Sequence, residues 1–347
     1  MQRQPVAILG ATGVVGQRFV RRLINHPWFE LTTLAASEQS AGRPYGEVVR
    51  WLLPGPVPTS VAQIKVVPAL PHYVPEKLVF SALDATVATT VEAAFRAARR
   101  LVVSNAKSHR WDPDVPLIIP EVNAEHLALV EWQEAHYGGA IVTNPNCTTI
   151  GLCLALEPLR QAFGLKRVVV TTLQALSGAG HPGVPSLEAL DNVLTEIEGE
   201  EDKVQSEPRK VFGRLAQGGV ELAELAISAQ CNRVAVRDGH LLSLAVKLKE
   251  KASIEEVREV FAAYQSPLAQ LGLPSAPERP VHLSQAFARP QPALDRDAAG
   301  GMAVTVGRVR PCPVLDLRCV ALVHNTIRGA AGGTVLIAEL MKARGLV

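Results

Sequence analysis

The segment IVTNPNCTTIGLCLAL places a thiol where it can do chemistry. A strand ends at Thr143, Asn144-Pro145 forces a turn, and Cys147 falls in the first turn of an apolar helix. The free N–H groups and positive dipole of a helix start favour an anion there, so the spacing predicts a lowered thiol pKa and a reactive thiolate. The other four cysteines, Cys153, Cys231, Cys312 and Cys319, read as small buried hydrophobes. A cysteine nucleophile needs a base, and His240 in NRVAVRDGH follows an Asp-Gly turn between two strand patterns. Alone, that histidine would more often be a surface turn residue. Arg233 in the same segment suits bidentate capture of a carboxylate. The run TLQALSGAG carries Gln174 at the end of a strand and then a Gly-rich turn, Ser177-Gly178, whose backbone donors can approach a ligand. A Cys nucleophile, a His base, a Gln orienter and an Arg anchor follow the logic of a thiol acyl enzyme.

Two kinds of element must hold these residues. Up to about residue 145, short apolar runs at 5–9, 31–36, 78–80, 101–103 and 140–143 alternate with helical patterns, which predicts a parallel sheet with crossover helices. Beyond it, longer runs at 166–176, 227–236, 241–249, 302–309 and 317–324 predict a larger sheet. Helices are expected near 148–162, 186–197 and 254–264, and a Pro-rich irregular connection at 272–298. The tail 329–344 is helical again. The expected fold is an α/β Rossmann-type cofactor domain, residues 1–145 plus 328–347. It is joined to an α+β substrate and dimerisation domain, 146–327, with a mostly antiparallel sheet. The apolar strands of that sheet exceed what one layer of helices would cover, so its outer face is expected to bury a partner subunit.

Gly10, Gly13 and Gly16 in GATGVVG stand at the first strand-to-helix junction, where a Rossmann unit brings its backbone against a pyrophosphate. A bare three-glycine pattern also fits a plain packing turn. The second strand runs into Ser37, Glu38, Ser40, Gly42 and Arg43. Hydroxyls and an arginine suit the 2′-phosphate of NADP(H), whereas Glu38 suits a ribose hydroxyl and leaves dual cofactor use open.

The whole chain has 347 residues, 48% hydrophobic and 20% charged, with a net charge of +2. That balance gives no broad electrostatic footprint for nucleic acid or anionic lipid. The five cysteines form neither a zinc pattern nor an even disulfide set, so no metal and a reducing, cytoplasmic setting are expected. No apolar run reaches the ~20 residues that span a bilayer, and no signal peptide is evident.

The set GATGVVG, SNAKSHR, TNPNCTT, TLQALSGAG, GEEDK, NRVAVRDGH, LDRDAAGGMAVTVGR and HNTIRGAAGG, in this order, resembles the aspartate-β-semialdehyde dehydrogenases of the archaeal and fungal branch. The resemblance implies Cys147 as nucleophile, placed by Asn146, with Gln174 orienting the acyl intermediate and His240 as acid/base. It implies Arg233 for the substrate α-carboxylate and Glu200 for its amino group. Lys203 and Arg110 would take the phosphate. Gly10, Thr12, Gly13, Val15, Ser37 and Arg43 would face the adenine half of NADP(H), with Ser177, Gly178 and Asn325 near the nicotinamide. Backbone N–H groups around Cys147 would stabilise the oxyanion. The implied reaction is reduction of β-aspartyl phosphate to aspartate semialdehyde and phosphate, in the biosynthesis of lysine, threonine and methionine, by a homodimer or homotetramer.

AAGGM at 298–302 departs from the family's usual sequence. An N-acetyl-γ-glutamyl-phosphate reductase shares the architecture and the Cys/His pair. Its acylated substrate needs no carboxylate for an ammonium group, which the acidic GEEDK supplies. A reductase of the malonyl-CoA type would need basic groups for CoA, and no added cluster is seen. A catalytically silent binding homologue would have no use for Cys147, Gln174, Arg233 and His240 together.

Overall fold

The computed structural model describes residues 3–347. The chain opens with β1 (Gln4–Leu9), an apolar strand whose last four residues are buried on both faces, as the centre of a parallel sheet requires. A glycine turn leads into α1 (Val14–Leu23), then β2 (Phe29–Ala36), β3 (Val67–Pro68) and β4 (Leu78–Ser81). Helix α2 (Ala85–Ala97), β5 (Leu101–Ser104), helix α3 (Ala128–Tyr137) and β6 (Ala140–Thr143) complete the first sheet. Its order is β3-β2-β1-β4-β5-β6, and every pairing is parallel. The strand order reverses between β1 and β4, so a crevice opens beyond their C-terminal ends, where Gly10 and Ala82 lie.

From β6 the chain turns directly into α4 (Cys147–Phe163), apolar on all sides and almost wholly buried. There follow β7 (Leu165–Gln174), β8 (Val193–Leu194), α5 (Glu200–Val211), a small hairpin of β9 (Arg214–Ala216) and β10 (Gly219–Glu221), and β11 (Ala226–Val234). Then come β12 (His240–Leu248), α6 (Ile254–Ala263), β13 (Val281–Ser284), β14 (Val304–Pro311) and β15 (Leu317–Val323). The second sheet runs β13-β14-β15-β12-β7-β11-β8. It is mixed: β11 runs parallel to β7 and β13 to β14, whereas the other neighbours are antiparallel. The expectation of a mostly antiparallel sheet is therefore corrected. β11 returns to the side of β7 through α5, a crossover that needs a parallel partner.

β7 alternates buried and exposed residues, so α4 and its neighbours cover one face, and Val169 and Leu173 stand exposed on the other. Helix α7 (Gly332–Ala343) closes the chain in the same apolar core as β1, β4 and α1. A second core gathers α4, β7, β12, β14 and β15.

The helix expected at 186–197 is not formed. Only Ser186–Ala189 is helical, and the chain then joins the sheet edge as β8. The Pro-rich 272–298 stretch is irregular apart from β13 and one short turn of helix. Helix α5 is among the elements that periodicity missed. Its sequence EEDKVQSEPRKV carries few apolar residues, and its buried face is largely charged.

Candidate active site

Asn146 is the N-cap of α4, and its Oδ1 accepts from the backbone N–H groups of Thr148 (2.9 Å) and Thr149 (3.2 Å). This is ordinary capping with a chemical consequence, because the donors that would have served a thiolate are already engaged. The Asn146 N–H is engaged too, donating to Glu207 Oε2 at 2.7 Å. The expected oxyanion donors around Cys147 are thus taken at residues 146, 148 and 149. The expected fall in the thiol pKa is corrected as well. Burial and the Glu200 carboxylate push the thiol of half-buried Cys147 upward, against an opposing pull from Arg110 and Arg233.

α5 supplies the polar wall. Glu200, Lys203, Glu207 and Lys210 recur at helical spacing along it. Glu200 Oε1 accepts from Asn146 Nδ2 (2.9 Å) and Thr148 Oγ1 (3.3 Å), and its Oε2 from Lys203 Nζ (3.1 Å). Burial opposes its charge, but Lys203 and the Asn146 hydrogen bond outweigh burial and hold its pKa below the usual carboxylate value. Arg110, 6% exposed, donates from Nη1 to Glu207 Oε1 at 2.8 Å and from Nη2 to the Asn105 carbonyl at 3.3 Å, while its buried Nε has no partner among the described residues. Lys210 donates to the carbonyls of Arg110, Asp112 and Val115 at 2.7–2.9 Å, fixing the loop that carries Arg110.

β7, β11 and β12 supply the opposite wall. Gln174 and Arg233 are register partners at the ends of β7 and β11, and both are buried. Gln174 Nε2 donates to Thr172 Oγ1 at 3.3 Å, and Arg233 Nη1 to the Ala175 carbonyl at 2.8 Å. His240 is fully buried, and its Nδ1 accepts the Ala175 N–H at 3.0 Å. The neutral ring therefore carries its proton on Nε2, which has no partner among the described residues. Burial drives the pKa of His240 down to about 3. Gly178 closes the turn over this pair: a Cβ there would lie 2.7 Å from Arg233 Nη1 and 3.2 Å from His240 Nε2. Asn325 ties two turns together, donating to Ser177 Oγ (2.8 Å) and accepting the Gly239 N–H (2.9 Å). Glu200 acts electrostatically on Cys147, Arg233 and His240 alike, which places all four in one cluster.

Gly10, Thr12, Gly13 and Ser37 line a cavity with Glu38, Ala36, Leu70, Leu83 and Val87 at the β1/β4 crevice. Gly13 caps α1 without a side-chain bond, so the helix N-terminus stays open to an anion. Gly10 has φ +76° and backs onto the Ala82 carbonyl, where a Cβ would come within 2.6 Å. This cradle fits a dinucleotide. Gly16 serves packing instead, since a Cβ there would strike the Gly10 carbonyl, and Val15 packs against the core. Ser40 is half-buried, and Arg43 is exposed with Glu47 4.0 Å away, so neither lines the cavity.

Several residues of the site were not singled out in the sequence. Besides Glu207 and Lys210, Gly329 backs Cys147, for a Cβ there would fall 2.6 Å from Cys147 Cβ. Arg328 beside it is fully buried in a two-pronged ion pair with Glu121. Among the described residues, no group of His, Cys, Asp and Glu is placed to hold a metal ion, and no helix is long and apolar enough to cross a membrane.

Comparison with known proteins agrees with this geometry. Residues 5–130 match the family model "Semialdehyde dehydrogenase, NAD binding domain", and residues 156–328 match "Semialdehyde dehydrogenase, dimerisation domain". Aspartate-semialdehyde dehydrogenase of Archaeoglobus fulgidus is 50% identical over 98% of both chains, and that of Saccharomyces cerevisiae is 44% identical, again over 98% of both. The crystal structure of aspartate semialdehyde dehydrogenase with NADP from Candida albicans superposes with a TM-score of 0.92 at 40% identity, covering 100% of both chains. An open dinucleotide cradle and a cysteine at a capped helix start in one chain, with likeness of this extent to archaeal and fungal enzymes, have one reading: the chain belongs to the aspartate-semialdehyde dehydrogenase family.

Proposed function

We propose that the chain reduces β-aspartyl phosphate to aspartate semialdehyde and phosphate with NADPH, through a thioester on Cys147. The observation that carries this reading is the cluster itself: a cysteine at the start of α4, an acidic group suited to an ammonium ion, and buried arginines suited to a carboxylate and a phosphate.

Arg233 takes the α-carboxylate and Glu200 the α-ammonium group. Arg110 and Lys203 hold the phosphate, and Gln174 orients the acyl group. Cys147 Sγ attacks the acyl carbon, the C–O bond to phosphate breaks, and the thiol proton leaves with the phosphate. The departing phosphate oxygen gains charge as that bond breaks and takes the proton, while His240, whose Nδ1 is occupied by the Ala175 N–H, keeps its Nε2–H for the next step. When bound, the cofactor supplies hydride to the thioester carbon. His240 presents Nε2–H to the resulting oxyanion. Collapse of this oxyanion frees the aldehyde and expels Cys147 as a thiolate, which takes a proton from solvent to restore the thiol.

Gly10, Thr12, Gly13 and Ser37 would hold the adenine half of NADP(H), with Ser177, Gly178 and Asn325 on the nicotinamide side. Apolar cores on the two faces of the first sheet and a separate one under the second sheet support a division into 1–145 with 328–347 and 146–327. The exposed Val169 and Leu173 support pairing of the second sheet in a homodimer or homotetramer, and five free cysteines suit the cytoplasm. Initial rates with aspartate semialdehyde and phosphate, beside N-acetylglutamate semialdehyde and malonyl-CoA, test the substrate. Aspartate semialdehyde should be preferred by at least about 10³-fold, the scale of leaving a buried charge unpaired. Equal or better rates with either alternative would overturn the reading.

A further inference from the structure

Glu207 is 1% exposed, and each of its carboxylate oxygens takes one strong donor. Oε1 accepts from Arg110 Nη1 at 2.8 Å, and Oε2 from the Asn146 N–H at 2.7 Å. One buried carboxylate thus joins the cation proposed for phosphate to the peptide that precedes the nucleophile. Lys210, one turn further along α5, grips the backbone of the same Arg110 loop. The guanidinium is held from two sides, and of its three nitrogens only Nε has no partner among the described residues.

We propose that Glu207 is a positioning residue that serves as the internal counter-ion of Arg110, keeping the guanidinium aligned while limiting its affinity for phosphate. The inference rests on the assignment of Arg110 to phosphate made above. Its physical basis is that a buried cation must be compensated by something. In the free enzyme that partner is Glu207. An arriving phosphate adds a second anion to an already neutralised cation, so it gains less than it would from a bare guanidinium. The gain forgone on binding makes release of the product easier. Meanwhile the carboxylate keeps its bond to Asn146, so the start of α4 need not move as phosphate enters and leaves.

Glu207→Gln keeps the size and removes the charge. Titration with inorganic phosphate should show its dissociation constant lowered by about tenfold, the scale of one charge-assisted hydrogen bond. Turnover in the phosphate-releasing direction should fall. Phosphate should also raise the melting temperature of the variant more than that of the unaltered enzyme. In the double variant Glu207→Gln, Arg110→Ala both effects should vanish, which a purely structural loss would not produce. If Glu207→Gln does not fold, Glu207→Asp, whose carboxylate is drawn back by one methylene, should show the same tightening in smaller measure. Unchanged or weaker phosphate binding in the single variant that folds, or a tightening that persists without Arg110, would overturn the proposal. Neither result would touch the thioester at Cys147, whose failure would show instead as an active Cys147→Ser enzyme.

Discussion

At the scale of single residues, the environment of Cys147 decides how it reacts. The residue type and its place at a helix start suggest an activated thiolate, yet Asn146 and Glu207 have already used the nearby donors and Glu200 adds an unfavourable charge. Burial and that charge hold the thiol in its protonated form in the free protein. Contact fixes its position as well. Gly329 presses its Cα face against Cys147, and a methyl group would overlap the nucleophile's Cβ. Gly329→Ala should lower kcat by about 10²-fold through displacement of Sγ from its line of attack, with KM for NADPH nearly unchanged. Steady-state kinetics in both substrates check this; a variant with normal kcat would show that the contact yields without consequence.

At the scale of elements, α5 matters more than its composition suggests. Its EEDKVQSEPRKV sequence has almost no apolar stripe, so a reading by hydrophobic period passes over it. What makes it a wall of the site is the partners it meets. Glu207 and Asn146 are 61 residues apart in the chain, and Lys210 and Arg110 are 100 apart. No local spacing encodes such pairs. By contrast, Gly10, Gly13, Cys147 and His240 are legible because their chemistry depends on the turn or cap in which they stand. Glu200 and Lys203 emerged only through likeness to a family. The same limit accounts for the mixed sheet: the sequence marks β11 as a strand, but its parallel register with β7 follows from where α5 leads the chain. Lys210→Met would remove an ammonium group and orphan three carbonyls of the Arg110 loop. Denaturant unfolding should show a loss of about 3 kcal/mol, with phosphate KM raised; a variant as stable as the parent would contradict the role given to this lysine.

At the scale of the whole molecule, buried histidines link the site to stability. Burial lowers the pKa of His240 to about 3 and of His324 to about 4. In the unfolded chain both titrate near ~6.5. The unfolded state therefore binds protons below that pH while the folded state does not, and stability must fall as pH drops from there through 4 and toward 3. Each ring contributes a slope of up to about 1.4 kcal/mol per pH unit within its window. His324→Gln should flatten the profile between roughly pH 6 and 4.5, as read by urea melts at a series of pH values. A parallel profile would mean that other groups carry the acid sensitivity.

The thioester on Cys147 is the step on which the functional reading depends, and one measurement reaches it directly. The enzyme is mixed with aspartate semialdehyde and NADP in the absence of phosphate, quenched in acid, and weighed intact and as peptides. A thioester on Cys147 should give a burst of NADPH close to one per Cys147 and a matching aspartyl adduct on the peptide that contains Cys147, released when phosphate is added and absent from Cys147→Ser. NADPH formation by the serine variant at the parent rate, or an adduct carried by another cysteine, would contradict it.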